Sequence, residues 1–123
     1  MSVERINLEA VNRIFTNQVK EKFTCVIKFY SNECQYCHDL ADHYKEISQQ
    51  FDDVSFFAYN THEDPAEMQI EAMGMKLNGV PTLVLAQVGG RRPKKVVLSD
   101  PDEPHPETWY YPEDIINFIK KEK

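Results

Sequence analysis

What the chain lacks narrows it first. None of its apolar runs approaches the roughly 18 consecutive residues of a membrane-spanning helix, so no membrane association is expected. It has no excess of basic residues: the formal net charge is −6, which leaves no electrostatic footprint for nucleic acid. An odd number of cysteines, three in all, excludes a fully paired disulfide framework. Met1-Ser2-Val3-Glu4-Arg5 lacks the basic and then apolar profile of a signal peptide. The expectation is therefore a soluble, cytoplasmic, monomeric chain, in which a persisting structural disulfide is out of place. Internal repeats, linkers and shifts of composition are missing too, so residues 1–123 read as one domain, long enough to build a core without staples.

What is present is a foldable sequence, with 41% hydrophobic residues, seven Phe, six Tyr and a single Trp; disordered tails do not look like this. Val3 to Ile6 suggests a short edge strand. Asn7 suits a helix N-cap, with Ile6 and Val11 placed to close a hydrophobic staple. Val11, Ile14, Phe15 and Val19 keep helical spacing, which predicts a helix from Leu8 to about Lys20. Phe23 to Tyr30 is β-branched and aromatic on both faces, as in a central strand covered on both sides; Lys28 is the exception. Between Cys34 and Phe51, residues Cys37, Leu40, Ala41, Tyr44 and Ile47 share one helical face.

Val54 to Asn60 reads as a second buried strand. Asp64-Pro65 opens a further helix, with Met68, Ala72, Met73 and Met75 as adaptable core filler and Gly74 and Gly79 ending it. Pro81 to Gln87 is a third long strand, returned by a Gly89-Gly90 turn into Lys94–Leu98. Ser99 to Thr108 holds three prolines and four acids, a surface loop. After Pro112 an amphipathic helix carries Lys120, Lys121 and Lys123 at its negative dipole end. The order β-α-β-α-β-α-β-β-α predicts an α/β fold: a mixed central sheet of four to five strands flanked by about four helices.

The chemistry gathers in Phe29-Tyr30-Ser31-Asn32-Glu33-Cys34-Gln35-Tyr36-Cys37-His38. Cys34 follows a strand and heads a helix, where free N–H groups and the macrodipole stabilise an anion. A thiolate there has a lowered pKa and is the attacking nucleophile. Cys37, one turn on and facing inward, is the protected resolving thiol. The competing use of such a pair is half of a zinc site completed by His38 or His43. Structural zinc wants four ligands, and no second pair exists: Cys25 lies within a strand as a small buried hydrophobe, and His62 and His105 stand alone. No metal and no organic cofactor is expected.

Pro81 heads a core strand, where a missing ladder donor needs a special reason. With Phe-Tyr-x-x-x-Cys-x-x-Cys about 44 residues ahead of Gly79-Val80-Pro81-Thr82, nearly the whole chain resembles the thioredoxin family. The resemblance implies the thioredoxin fold, with Pro81 cis beside the Cys34–Cys37 pair. The Val80 backbone would then be free to hydrogen-bond an extended substrate, and metal would be kept from the thiols. Tyr30 and Tyr36 would flank the thiols and shape the docking surface.

Several residues depart from that family. Glu33 stands where thioredoxins proper carry Trp, and Gln35-Tyr36 replaces Gly-Pro. The tyrosine is closer to the glutaredoxins and bacterial disulfide isomerases, and His38 to the isomerases. The buried acid six residues before the first cysteine is replaced by Lys28, its basic partner aligns approximately with Ala58, and the proline that kinks the helix is missing. A charged Lys28 favours thiolates; Glu33, solvated and screened, acts weakly the other way. His38 tunes Cys34 or merely meets solvent at the helix start. The Arg91-Arg92-Pro93-Lys94-Lys95 tip reads as a solvated turn, opposite in charge to the acidic loop.

The expected activity is thiol–disulfide exchange with protein disulfide or dithiol substrates, served by a recycling reductase or reductant. Two alternatives stand beside it: a peptide- or protein-binding module with little catalysis, and a glutathione-linked, glutaredoxin-like reductase.

Overall fold

The computed structural model describes residues 3–61 and 80–123. Five strands form one sheet: β1 (Glu4–Arg5), β2 (Phe23–Tyr30), β3 (Val54–Asn60), β4 (Thr82–Val88) and β5 (Lys94–Val97). Their spatial order is β1-β3-β2-β4-β5. The pairs β1–β3 and β2–β3 are parallel, whereas β2–β4 and β4–β5 are antiparallel. Three helices are described: α1 (Leu8–Phe15), α2 (Gln35–Ser48) and α3 (Pro112–Glu122). The helix expected after Asp64-Pro65, with its methionines, lies outside the described residues.

Alternation along β2 divides the core. Cys25, Ile27 and Phe29 pack with Val11, Ile14 and Phe15 of α1 on one face of the sheet. Val26 turns to the other face and joins Leu40, Tyr44 and Ile47 of α2 and Ile115 and Ile119 of α3. Each of these fully buried side chains contributes roughly 1.5–3 kcal/mol relative to exposure. Burial on both faces explains why β2 and β3 span the stretches their apolar runs predict. Ala41, assigned to the inward face of α2, is exposed; the buried stripe runs through Cys37, Leu40, Tyr44 and Ile47.

The first helix is shorter than its periodicity predicts. Asn7 caps it as expected, its side chain accepting from Ala10 N at 2.9 Å. The helix ends at Phe15 rather than near Lys20, because Asn17 takes a left-handed conformation (φ 57°). Asn17 N donates to Ile14 O and Gln18 N to Arg13 O at 2.8 Å, the paired bonds of a Schellman cap. The same side chain accepts from Gly89 N at 2.8 Å, tying the helix end to the β4–β5 turn. Gly89 has φ 80°, and a Cβ there would run into the Glu21 carbonyl. Val19, which kept the helical period, packs on the α1 side of the core from outside the helix.

Candidate active site

The parallel β2–β3 pair ends at Tyr30 and Asn60, and the chain leaves β2 toward the redox motif at that edge. Thr61 closes the edge, donating to Tyr30 O from its backbone N at 2.7 Å and from its hydroxyl at 3.1 Å. Five residues later the chain enters α2 with Cys34 as N-cap (φ −89°, ψ 106°). Cys34 Sγ accepts from Cys37 N at 3.1 Å, so the sulfur itself meets one of the helix's orphan donors. The first turn of α2 holds no acidic residue, leaving the positive end of the helix dipole available to a thiolate.

Cys34 and Cys37 are joined in a disulfide, their Cα atoms 5.2 Å apart. They differ in access: Cys37 is buried at 3% exposure, while Cys34 is partly exposed. Cys25 is remote in character, fully buried among the α1-facing residues, its thiol pushed up to about 12 chiefly by desolvation.

The loop before Cys34 is held by residues that sequence reasoning did not single out. Asn60 Nδ2 donates to Asn32 Oδ1 at 3.0 Å, linking the end of β3 to this loop. The Asn32 carbonyl in turn lies 2.9 Å from His38 Nε2. A carbonyl can only accept, so that nitrogen carries the proton. His38, expected to tune Cys34 or face solvent, thus engages the loop backbone. Glu33 is exposed, its N–H donating to Ser31 Oγ at 3.3 Å. Tyr36 projects outward at 37% exposure and meets the Trp109 ring edge-on, 5.5 Å between centroids.

Lys28, the exception within β2, is buried with the rest of the strand. It is 5% exposed, its ammonium 5.0 Å from the Tyr44 ring centroid and 5.5 Å from that of Tyr30. Among the described residues no carboxylate lies within ion-pair distance of it. Desolvation lowers its pKa to about 8, while the two aromatic faces receive the cation. Tyr44 is fixed in turn, its hydroxyl donating to Phe57 O at 2.7 Å. Tyr44 lies two turns beyond Cys37 on the same buried face of α2, so Lys28 is beneath the redox helix rather than outside it.

The Val80–Pro81 peptide is cis and Pro81 is buried. β4 pairs with β2 through Thr82 opposite Phe29. One further step in that register sets Pro81 opposite Tyr30, at the edge from which the Cys34 loop departs. Val80 is partly buried against the α1-facing residues. Among the described residues, no three His, Cys, Asp or Glu side chains converge as a metal site.

A family model described as Thioredoxin matches residues 6–103. No curated protein matches the sequence. Among solved structures, thioredoxin f2 of Chlamydomonas reinhardtii superimposes with a TM-score of 0.70 at 15% identity, over 98% of this chain and 96% of that one. The J-Trx1 fragment of ERdj5 gives 0.66 at 21% identity, covering 97% of this chain and 49% of that one, so this chain spans about half its length. A complex of ferredoxin:thioredoxin reductase with thioredoxin f2 gives 0.65 at 18% identity, over 98% and 94%. At these identities the likeness shows the fold. Sheet order, helix placement and a family match over most of the sequence agree: the chain belongs to the thioredoxin family.

Proposed function

We propose that the protein is a thiol–disulfide oxidoreductase that exchanges disulfides with protein substrates through Cys34 and Cys37. The observation that carries this reading is the unequal pair at the start of α2, with an accessible Cys34 at the N-cap bonded to a buried Cys37.

In the reduced protein the Cys34 thiolate, favoured by the helix start, attacks one sulfur of a substrate disulfide. A bond forms from Cys34 Sγ to that sulfur, the substrate S–S bond breaks, and the departing thiolate takes a proton from solvent. Cys37, as thiolate, then attacks Cys34 Sγ and releases the second substrate thiol. The substrate is reduced by two electrons and the protein is left as the Cys34–Cys37 disulfide. A recycling dithiol, from a reductase or a small reductant, returns it by the same steps in reverse. The solved complex of thioredoxin f2 with ferredoxin:thioredoxin reductase supports a partner of that kind.

Pro81 and the Val80 backbone, at the strand edge beside Tyr30, orient an extended substrate chain in this reading. Tyr36 and Tyr30 border the thiols. Lys28 favours the thiolates from below, Glu33 opposes them weakly from the surface, and His38 acts by holding the Asn32 carbonyl.

The test is insulin disulfide reduction in the presence of dithiothreitol, with Cys34→Ser as control. The wild type is expected to exceed that mutant by well over ten-fold. Equal rates overturn the reading in favour of a peptide-binding module, and a rate that requires glutathione places the protein with the glutathione-linked reductases.

A further inference from the structure

The family match ends at residue 103, inside a connection between β5 and α3 that runs from Leu98 to Tyr111. Its proline-rich, acidic sequence reads as a solvated loop, yet it is bonded to itself at several points. His105 N donates to Trp109 O at 3.0 Å and Trp109 N to His105 O at 3.1 Å. The His105 ring closes the turn between them, Nδ1 accepting from Glu107 N at 3.1 Å and Thr108 N at 3.3 Å. Thr108 is buried, its hydroxyl donating to Tyr110 O at 2.7 Å. Trp109 is held at φ 65°, a left-handed conformation that costs a non-glycine residue about 1 kcal/mol and persists only where its surroundings impose it.

The outcome of that bonding is a placement. The Trp109 indole N–H donates to Asp100 Oδ1 at 3.2 Å, and the ring stands edge-on to Tyr36, between the two cysteines in sequence. Tyr36, against Trp109, and Tyr111, against the His105 ring, are two of the three most exposed large hydrophobic residues among those described. Tyr and Trp offer large contact area at little entropic cost, which is why they dominate interface anchors.

The charge around the patch has one sign. Asp100, Asp102, Glu103 and Glu107 are exposed on the loop, and Glu33 is exposed beside Cys34. Residues 29–44 and 96–119, which carry the redox motif and the loop, contain no Lys or Arg. A docking segment therefore meets an aromatic wall with an anionic rim, and neither of these two stretches contributes a Lys or Arg to repel it.

We infer that Trp109 and Tyr36 form the substrate-recognition wall of the redox site, and that it takes an extended polypeptide disulfide flanked by cationic residues. This rests on the oxidoreductase reading and names its substrate class. The wall orients the incoming chain along the face where Cys34 Sγ is accessible, and the rim selects Lys or Arg beside the half-cystine through complementary potential.

The test follows oxidation of the pre-reduced protein by three disulfides: neutral hydroxyethyl disulfide, a disulfide-linked peptide with Lys on both sides of each half-cystine, and its counterpart with Glu. The wild type is expected to react about five-fold or more faster with the Lys peptide than with the Glu peptide at low salt, a preference that shrinks as salt rises. Trp109→Ala is expected to lower the ratio of Lys-peptide to hydroxyethyl disulfide rates by about ten-fold, with Trp109→Phe recovering most of it. Tyr36→Ala, whose site is a solvent-facing helix position, gives the same reading if Trp109→Ala does not fold. A wild type that reacts with hydroxyethyl disulfide but shows no Lys preference, or ratios within two-fold of wild type in the folded variants, overturns the wall alone. A wild type inert to all three disulfides overturns the oxidoreductase reading, and the wall with it.

Discussion

Lys28 sets a charge beneath a redox helix where none of the described carboxylates answers it, and that has a thermodynamic sign. The unfolded lysine titrates at 10.5 and the folded one at about 8. Below pH 8 both states are protonated, and the fold carries the whole cost of burying the ion. That cost is roughly 3 kcal/mol for a pKa lowered this far. Between pH 8 and 10.5 the folded state binds fewer protons than the unfolded, so this term makes stability rise with pH. Cys25 acts in the opposite sense above its ordinary 9.0, because the folded thiol holds its proton to about 12. The oxidised protein should therefore gain stability between pH 8 and 9, hold it to about 10.5 while the two terms cancel, and lose it above that. Lys28→Met should be more stable than wild type at pH 7 by up to about 3 kcal/mol, an advantage that fades between pH 8 and 10.5. Urea unfolding across pH 7–11 measures both. The same variant is expected to raise the apparent pKa of the Cys34 thiol, followed by thiolate absorbance in the reduced protein; an unshifted titration would remove Lys28 from the site.

At the scale of the element, the N-terminus of α2 is capped by Cys34, the proposed nucleophile. A serine at this position still caps, whereas an alanine does not. Cys34→Ser should thus match the reduced wild type in stability, and Cys34→Ala should fall about 1 kcal/mol below Cys34→Ser, with turnover absent from both. Chemical denaturation of the two reduced proteins separates capping from catalysis. The end of α1 makes a second case. Asn17→Ala places a β-carbon in a left-handed position and removes the acceptor of Gly89 N, and should cost about 2 kcal/mol while Asn17→Gly costs about half of that. This helix end also shows where local pattern misleads. Val19 continued the period of Val11 and Phe15, and only the conformation of Asn17 reveals that it reaches the core from a loop. Strands β2 and β3 were legible to the residue because burial on both faces leaves no polar phase to misread.

For the molecule as a whole, the placement of Cys34 and Cys37 at a strand-to-helix junction was readable from spacing, since a strand, a helix start and two cysteines lie within ten residues. The supports were not. Asn32, Asn60 and Thr61 are ordinary loop residues until two parallel strands bring their ends together. Trp109 lies 75 positions after Cys34 and reaches Tyr36 only because the loop around His105 folds as it does. The one signal available in advance was that the sole tryptophan sat in a stretch otherwise reading as solvated. The basic Arg91-Arg92 tip is exposed, as its sequence suggests, and lies beyond β4 at the end of the sheet opposite the thiols.

Trp109 also makes the protein its own instrument. Because no other indole is present, all tryptophan emission comes from one ring leaning on the side chain between the two cysteines. Opening and closing of the Cys34–Cys37 bond should be visible as a change in that emission, without label or coupled enzyme. Titration against glutathione or dithiothreitol buffers would then trace a two-electron curve in fluorescence. A Cys34→Ser/Cys37→Ser protein should stay dark to the same buffers. The residue we assign to substrate recognition thereby offers a direct optical route to the reduction potential of the site it guards.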